Sequence, residues 1–137
     1  MPWKNMSASR PIHVAVGAVI NRQGEVLIAK RPDNKFQGGL WEFPGGKVEA
    51  GETAEQALVR ELQEEVAITP LSFKALLQVE HDYGDKTFLL DVYLVDGFSG
   101  TMRALEQQVV KWVTLQQIKA YPFLEANQVI LDKLLAI

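Results

Sequence analysis

The sequence predicts a layered α/β or α+β domain. Three observations point there: β-branched apolar runs too short for helices predominate in the middle, two segments carry helical periodicity, and 137 residues suffice for one core. A chain of this length buries roughly two thirds of the surface its unfolded form exposes, so it needs no covalent staples.

Ile12 to Ile20, "IHVAVGAVI", reads as a mostly buried strand. "NRQG" is a turn, and Glu25 to Lys30 reads as the hairpin partner. "RPDNKFQGGLWEFPGG" is rich in Pro and Gly and is expected to be a loop, broken by a short strand around Leu40 to Phe43. Thr53 and Gln56 have the form of a capping box and start a helix. Leu58, Leu62 and Val66, with Ala54 and Val59 beside them, make its buried stripe. "ITP" is expected to end it, since Pro70 and the β-branched pair before it resist continuation. Phe73 to Tyr83 and Thr87 to Val95 follow as strands joined across "GD", and Val109 to Val113 as a shorter one. "TLQQIKAY" suggests one or two helical turns, and Ala126 to Ala136 an amphipathic helix. Residues 1–11 are expected to form an N-terminal extension, poorly ordered or packed at an edge, and 12–137 a single domain.

Composition narrows the function. Without cysteine there is neither a disulfide framework nor a thiolate metal site. The N-terminal "MPWKNMSASR" lacks the apolar run of a secretory signal, and no stretch approaches a membrane span, so a soluble cytoplasmic protein without membrane contact is expected. A net charge of -3, with both signs interspersed, argues against a general duplex binder and against a stable nucleic-acid complex.

The informative stretch is "GGKVEAGETAEQALVRELQEEVAI", Gly45 to Ile68. At about 100° per residue, Glu61, Glu64 and Glu65 share roughly a third of the helix circumference beside the apolar stripe. At an effective dielectric of 20, two such charges ~5–6 Å apart repel by about 3 kcal/mol. A solvated acidic face relieved by Arg60 and Lys74 is one explanation. Arg60, however, is expected to project at a different angle, and a Gly-rich turn of the kind that approaches phosphate precedes the helix. A hard divalent cation resolves the conflict, because magnesium takes carboxylate, carbonyl and water oxygens and bridges them to phosphates.

These residues resemble a known family. Gly46, Glu52, Arg60, Glu61, Leu62, Glu64, Glu65 and Ile68 match the Nudix box, G-x5-E-x7-R-E-U-x-E-E-x-G-U with U bulky and aliphatic. One position departs: Ala67 stands where the family has glycine, and a φ > 0 there would cost alanine about 1 kcal/mol. "GGLWEFPGGKVEAGE" and "YPFLEANQVILDKL" look like the MutT-like branch, whose pattern can be laid along Val14 to Leu134. The resemblance implies an α/β/α sandwich with a mixed sheet between helices.

It also implies roles. Glu61, Glu64 and Glu65, with the main-chain carbonyl of Gly45, would hold Mg2+, for which Mn2+ may substitute. Arg60 would orient box carboxylates, the alternative being a surface ion pair. Glu52 is either an outer metal ligand or an acid favoured by the helix dipole. Glu106, in "ALEQQ", matches a loop glutamate serving as base or extra metal ligand; otherwise it is a solvated acid. Asn127 matches the asparagine directed at the purine edge, although an N-cap of the last helix would also suit it. Phe43 looks like the residue whose backbone meets the base, and Arg31 and Lys86 like basic contacts to the nucleotide. His13 and His81 are read as structural.

The implied activity is hydrolysis of 8-oxo-dGTP or 8-oxo-GTP to the monophosphate and pyrophosphate, which sanitises the nucleotide pool. The box alone does not fix which phosphorus is attacked. Alternatives are hydrolysis of CTP, dCTP or a modified pyrimidine nucleotide, a non-catalytic nucleotide-binding module, and, ranked low for want of a basic stripe, an RNA-end pyrophosphohydrolase. A monomer or weak dimer is expected.

Overall fold

A computed structural model describes residues 11–137. The expected N-terminal extension lies outside them, Pro11 excepted. In chain order the elements are β1 (Ile12–Val19), β2 (Val26–Lys30), β3 (Trp41–Glu42), β4 (Gly45–Lys47), α1 (Ala54–Val66), β5 (Thr69–Asp82), β6 (Thr87–Ser99), β7 (Val109–Val113), α2 (Leu115–Ile118) and α3 (Glu125–Leu135). A four-stranded mixed sheet runs β4-β1-β6-β5, with β1 parallel to β6 and the other neighbours antiparallel. A second, antiparallel sheet runs β3-β2-β7.

Alternation along β1 builds both halves of the core. Ala15 and Val19 point to one face, where Ala57, Leu58, Leu62 and Val66 of α1 cover them. Val16 and Ala18 point to the other, with Ala126, Ile130, Leu131 and Leu134 of α3. The mixed sheet is thus flanked by helices, as an α/β/α sandwich requires. Gly17 lets α1 come close, because a Cβ there would stand 3.1 Å from Leu62 Cδ1 and 3.2 Å from Leu58 Cδ1. Both leucines are fully buried, so truncating either to alanine costs about 2–5 kcal/mol.

Several expectations need correction. The turn after β1 forms, with Asn21 Oδ1 accepting from the amides of Gln23 and Glu25. The flanking strands are not a hairpin, however: apart from a bridge between Ile20 and Val26, they enter different sheets. Both sides of β1 are taken by β4 and β6, so β2 pairs with β3 and β7 instead. The end of the Gly-rich segment is not loop but β4. Strands β5 and β6 run several residues past their expected limits at the β5 start and β6 end, through register shifts between Pro70 and Phe73.

Helix α1 begins as expected, with both hydrogen bonds of the Thr53–Gln56 capping box present. It ends before "ITP", at Ala67, which takes a left-handed conformation with φ 63°. Its buried face comprises Ala57, Leu58, Leu62, Glu65 and Val66, while Ala54 and Val59 are only half-buried. No helix among the described residues is long and apolar enough to cross a membrane.

Candidate active site

Strand β4 sets the amino-terminal half of the box against α1. Gly45 permits the close pairing with β1, because a Cβ there would collide with the backbone of Ala15 and Val16, and at Gly46 a Cβ would displace the Glu61 carboxyl group. Arg60 is the hub of the arrangement. Its Nε donates to Glu52 Oε2 at 2.7 Å and its Nη2 to Glu52 Oε1 at 3.0 Å, a two-pronged grip that matches guanidinium to carboxylate. Nη1 donates to Glu61 Oε1 at 2.8 Å and Glu64 Oε1 at 3.1 Å, and Nη2 also reaches the Lys47 carbonyl at 2.9 Å. Arg60 therefore does not keep the different angle that helix geometry predicts; it turns onto the acids, in the arrangement the family resemblance implies. A long side chain can fold back along the helix, which Cα angles alone do not reveal.

Glu52 is fixed from two sides, since it also accepts the Glu49 amide at 2.9 Å. The Arg60 hydrogen bonds, with that amide, lower its pKa to about 2. Burial raises the pKa of Glu61 against the opposing pull of Arg60.

Glu65 differs. It is 7% exposed, and its oxygens accept from the Gly45 amide at 3.3 Å and from Gln108 Nε2 at 3.1 Å. Burial first, then the charge of Glu42, pushes its pKa up to about 8; Glu106 and Glu61 add to this and the Gly45 amide opposes it. Glu42, on β3, is itself raised by burial, although Arg31 Nη1 stands 3.4 Å away. Glu106 is held near this group by its loop, where Arg103 and Leu105 donate their amides to the carbonyls of Val66 and Glu65 at 3.0 Å.

The oxygen donors suit a hard divalent cation, and their surplus negative charge creates a demand for one. Gln108 Oε1 is buried without a hydrogen-bond partner among the described residues, a further sign that the polar shell around Glu65 is incomplete. Among the described residues no three acidic or His side chains already stand in metal-ligand geometry. Glu61 and Glu64 are turned toward Arg60, and a cation would have to draw them from it.

Beside this cluster lies a cavity of ≈ 580 Å³, bordered by Gly45, Gly46 and Lys47 of β4, a volume suited to a small organic ligand. Arg31, Phe43, Lys86 and Asn127 line it. Asn127 is buried, and its Oδ1 accepts the Phe43 amide at 2.9 Å. It is not the N-cap of the last helix: that position is Leu124, without a side-chain cap, and Asn127 sits inside the first turn. Arg31 is already engaged, donating from Nε to the Phe36 carbonyl at 3.0 Å. His13 and His81 lie outside the lining and contact Asp91 at 2.5 Å and Glu125 at 3.6 Å.

Thus Glu52, Arg60, Glu61, Glu64, Glu65, Gly45 and Glu106 gather into one cluster, and the other four expected residues line the adjoining cavity. Glu42 and Gln108 were missed. Glu42 directly precedes Phe43 in "WEFPGG", a segment the sequence already singles out; a lone glutamine in a loop carries no signal.

The NUDIX domain model matches residues 15–133. The 8-oxo-dGTP diphosphatase of Escherichia coli K12 is 38% identical over 125 residues, covering 91% of this chain and 97% of that one. The CTP pyrophosphohydrolase of the same organism is 37% identical over 122 residues, covering 89% and 90%. Among solved structures, one from a study of MutT from Aliivibrio salmonicida and Vibrio cholerae superposes with a TM-score of 0.83 at 42% identity, covering 93% of this chain and 98% of the other. With its box on β4 and α1 and the family's pattern along nearly its whole length, this chain belongs to the Nudix hydrolases and is MutT-like.

Proposed function

We propose that this enzyme converts an oxidised guanine nucleotide, 8-oxo-dGTP or 8-oxo-GTP, to the monophosphate and pyrophosphate, with Mg2+ as cofactor and Mn2+ able to substitute. The observation that carries the reading is Asn127. Its Oδ1 accepts the Phe43 amide at 2.9 Å, which fixes the carboxamide and leaves both N–H donors, beside one oxygen lone pair, for a base in the cavity. A base edge presenting an acceptor oxygen, such as guanine O6, answers that demand. The similarity to 8-oxo-dGTP diphosphatases supports the same choice.

Divalent-metal dependence is general among Nudix hydrolases. Glu61, Glu64, Glu65 and the Gly45 carbonyl would hold the ion, with Glu106 as a further ligand or as the base. Bound there, a divalent cation lowers the pKa of the attacking water and neutralises charge on the leaving phosphate oxygens. Arg60 positions Glu52, Glu61 and Glu64 through charge-assisted hydrogen bonds. Lys86 and Arg31 offset phosphate charge at the cavity wall.

A second reading keeps the chemistry and changes the base to cytosine, which also presents acceptors and which the CTP pyrophosphohydrolase similarity favours. Side-by-side turnover of 8-oxo-dGTP, dGTP, CTP and dCTP with Mg2+, both products identified, decides between them. The oxidised guanine nucleotide is expected to have the highest kcat/KM and to release pyrophosphate. A large preference for dCTP would remove the guanine assignment, and Glu61→Gln should lower kcat by about 10³, the loss of about 4 kcal/mol of metal-borne stabilisation. Unchanged turnover in that folded variant would contradict the catalytic role of Glu61, whereas no turnover of any of these nucleotides by the parent would leave a nucleotide-binding module.

A further inference from the structure

Phe36 is the least explained large side chain in the structure. It lies in the 31–40 loop between β2 and β3, is 72% exposed, and yet borders the cavity. Large apolar side chains this open are destined for water or for a partner, and three features argue against water. The loop is fastened: Gly39 donates its amide to the Arg31 carbonyl at 3.0 Å, and Gly38 to Lys35 at 2.9 Å. Arg31 Nε holds the Phe36 carbonyl at 3.0 Å, and the same guanidinium reaches Glu42 beside the carboxylate cluster. Gln37 next to it takes a left-handed conformation, φ 55°, which costs a residue with a Cβ and is kept where surroundings over-determine it.

The ring also has an aromatic neighbour. Phe36 meets Tyr83 edge-to-face, with centroids 6.4 Å apart, and Tyr83 lines the same cavity. Tyr83 is braced in turn by His81 at 4.4 Å and Phe88 at 5.7 Å. One side of the rim is therefore a supported aromatic corner, and Asn127 lies deeper in the same lining.

We propose that Phe36 is a base-contacting affinity residue: its ring covers one face of the nucleobase whose edge Asn127 reads. Aromatic rings bind the π-face of any base, so Phe36 contributes affinity for the base and Asn127 its identity. The inference rests on a nucleoside triphosphate substrate but not on which base it carries.

The test is kinetic. In Phe36→Ala, KM for the preferred nucleotide should rise about tenfold, equivalent to about 1.4 kcal/mol, with kcat within about twofold because the phenyl ring carries no metal-ligating or acid–base group. Affinity for the nucleoside monophosphate product, by calorimetry, should fall by a similar factor. Inhibition by inorganic tripolyphosphate, which lacks a base, should be unchanged, and Phe36→Tyr should restore KM. A KM within twofold of the parent on every nucleotide tested overturns the proposal, as does equal weakening of tripolyphosphate. Should dCTP prove the preferred substrate while Phe36→Ala raises its KM tenfold, the guanine reading fails and this inference stands.

Discussion

Glu64 and Glu65 are consecutive residues with opposite surroundings. Glu64 is exposed and held by Arg60, which also binds Glu49, Glu52 and Glu61. Glu65 is buried and, among the described residues, receives two neutral N–H donors, while Glu42, Glu61 and Glu106 repel it. One helix therefore carries an acid group already balanced by an internal cation and another that is not. The balanced group provides order, since a single guanidinium fixes several carboxylates at once. The unbalanced one provides the demand for an external cation. A site with only the first would have little need of metal, and a site with only the second would strain the fold.

Removing Arg60 breaks this division most strongly. Arg60→Ala frees four carboxylates and should destabilise the metal-free protein by about 2–3 kcal/mol, a range reduced for partial solvent exposure. It should also lower kcat by about 10²-fold, as ligands lose their positions. Arg60→Lys should rescue little, because an ammonium cannot reproduce the two-pronged hold on Glu52 or reach Glu61, Glu64 and the Lys47 carbonyl together. Chemical denaturation in EDTA and steady-state kinetics check these values; a lysine variant equal to the parent would reduce Arg60 to a point charge.

The sequence made the balanced group partly legible and the unbalanced one hardly at all. Helical angles grouped Glu61, Glu64 and Glu65, and the capping box at Thr53 fixed where the helix begins. Angles alone, however, misdirected Arg60, whose reach depends on side-chain conformation. The special position of Glu65 depends on Glu42 and Gln108, which tertiary packing brings in from β3 and the loop before β7. The same limit appears in the fold. Turn chemistry located the bend after β1, but strand pairing is decided by competition among edges, and β4 and β6 won both sides of β1. Asn127 shows a further limit, since its residue type suits both a base contact and a helix cap, and only the fold, with Leu124 at the N-cap and the Phe43 amide on Asn127 Oδ1, removes the cap.

Glu65→Gln sharpens the comparison from the other side. Its carboxyl pKa is raised from 4.5 to about 8, so the folded state binds more protons than the unfolded state between those values. Stability attributable to Glu65 is therefore intact below pH 4.5 and declines as pH rises toward 8. A glutamine does not titrate. In EDTA at pH 8 the variant should be more stable than the parent by about 1–2 kcal/mol, a fraction of the 1.36 kcal/mol per unit limit because neighbouring acids relax. Below pH 4.5 the two should coincide. Turning the Gln108 carboxamide would aim its unpartnered Oε1 at the new amide. With millimolar Mg2+ the order should reverse, because only the parent gains from binding. Thermal melts across pH, with and without metal, read both signs; a parent more stable than the variant at pH 8 in EDTA would mean that Glu65 has a cation already.

The smallest effect isolates the helix end from the charges. Ala67 closes α1 with φ 63°, its amide bonded to the Leu62 carbonyl, two residues after Glu65. An L-residue held there carries about 1–2 kcal/mol of steric cost, which glycine escapes. Glycine also has more freedom to lose on folding, which returns about 0.5–1 kcal/mol. Ala67→Gly should therefore stabilise by about 0.5–1 kcal/mol, and equally at every pH, since no titrating group changes partner. A pH-dependent gain would show that the cap and the Glu65 seat are coupled. The restored glycine should leave KM and metal affinity alone if the turn serves only the backbone, since none of the Arg60 hydrogen bonds involves Ala67.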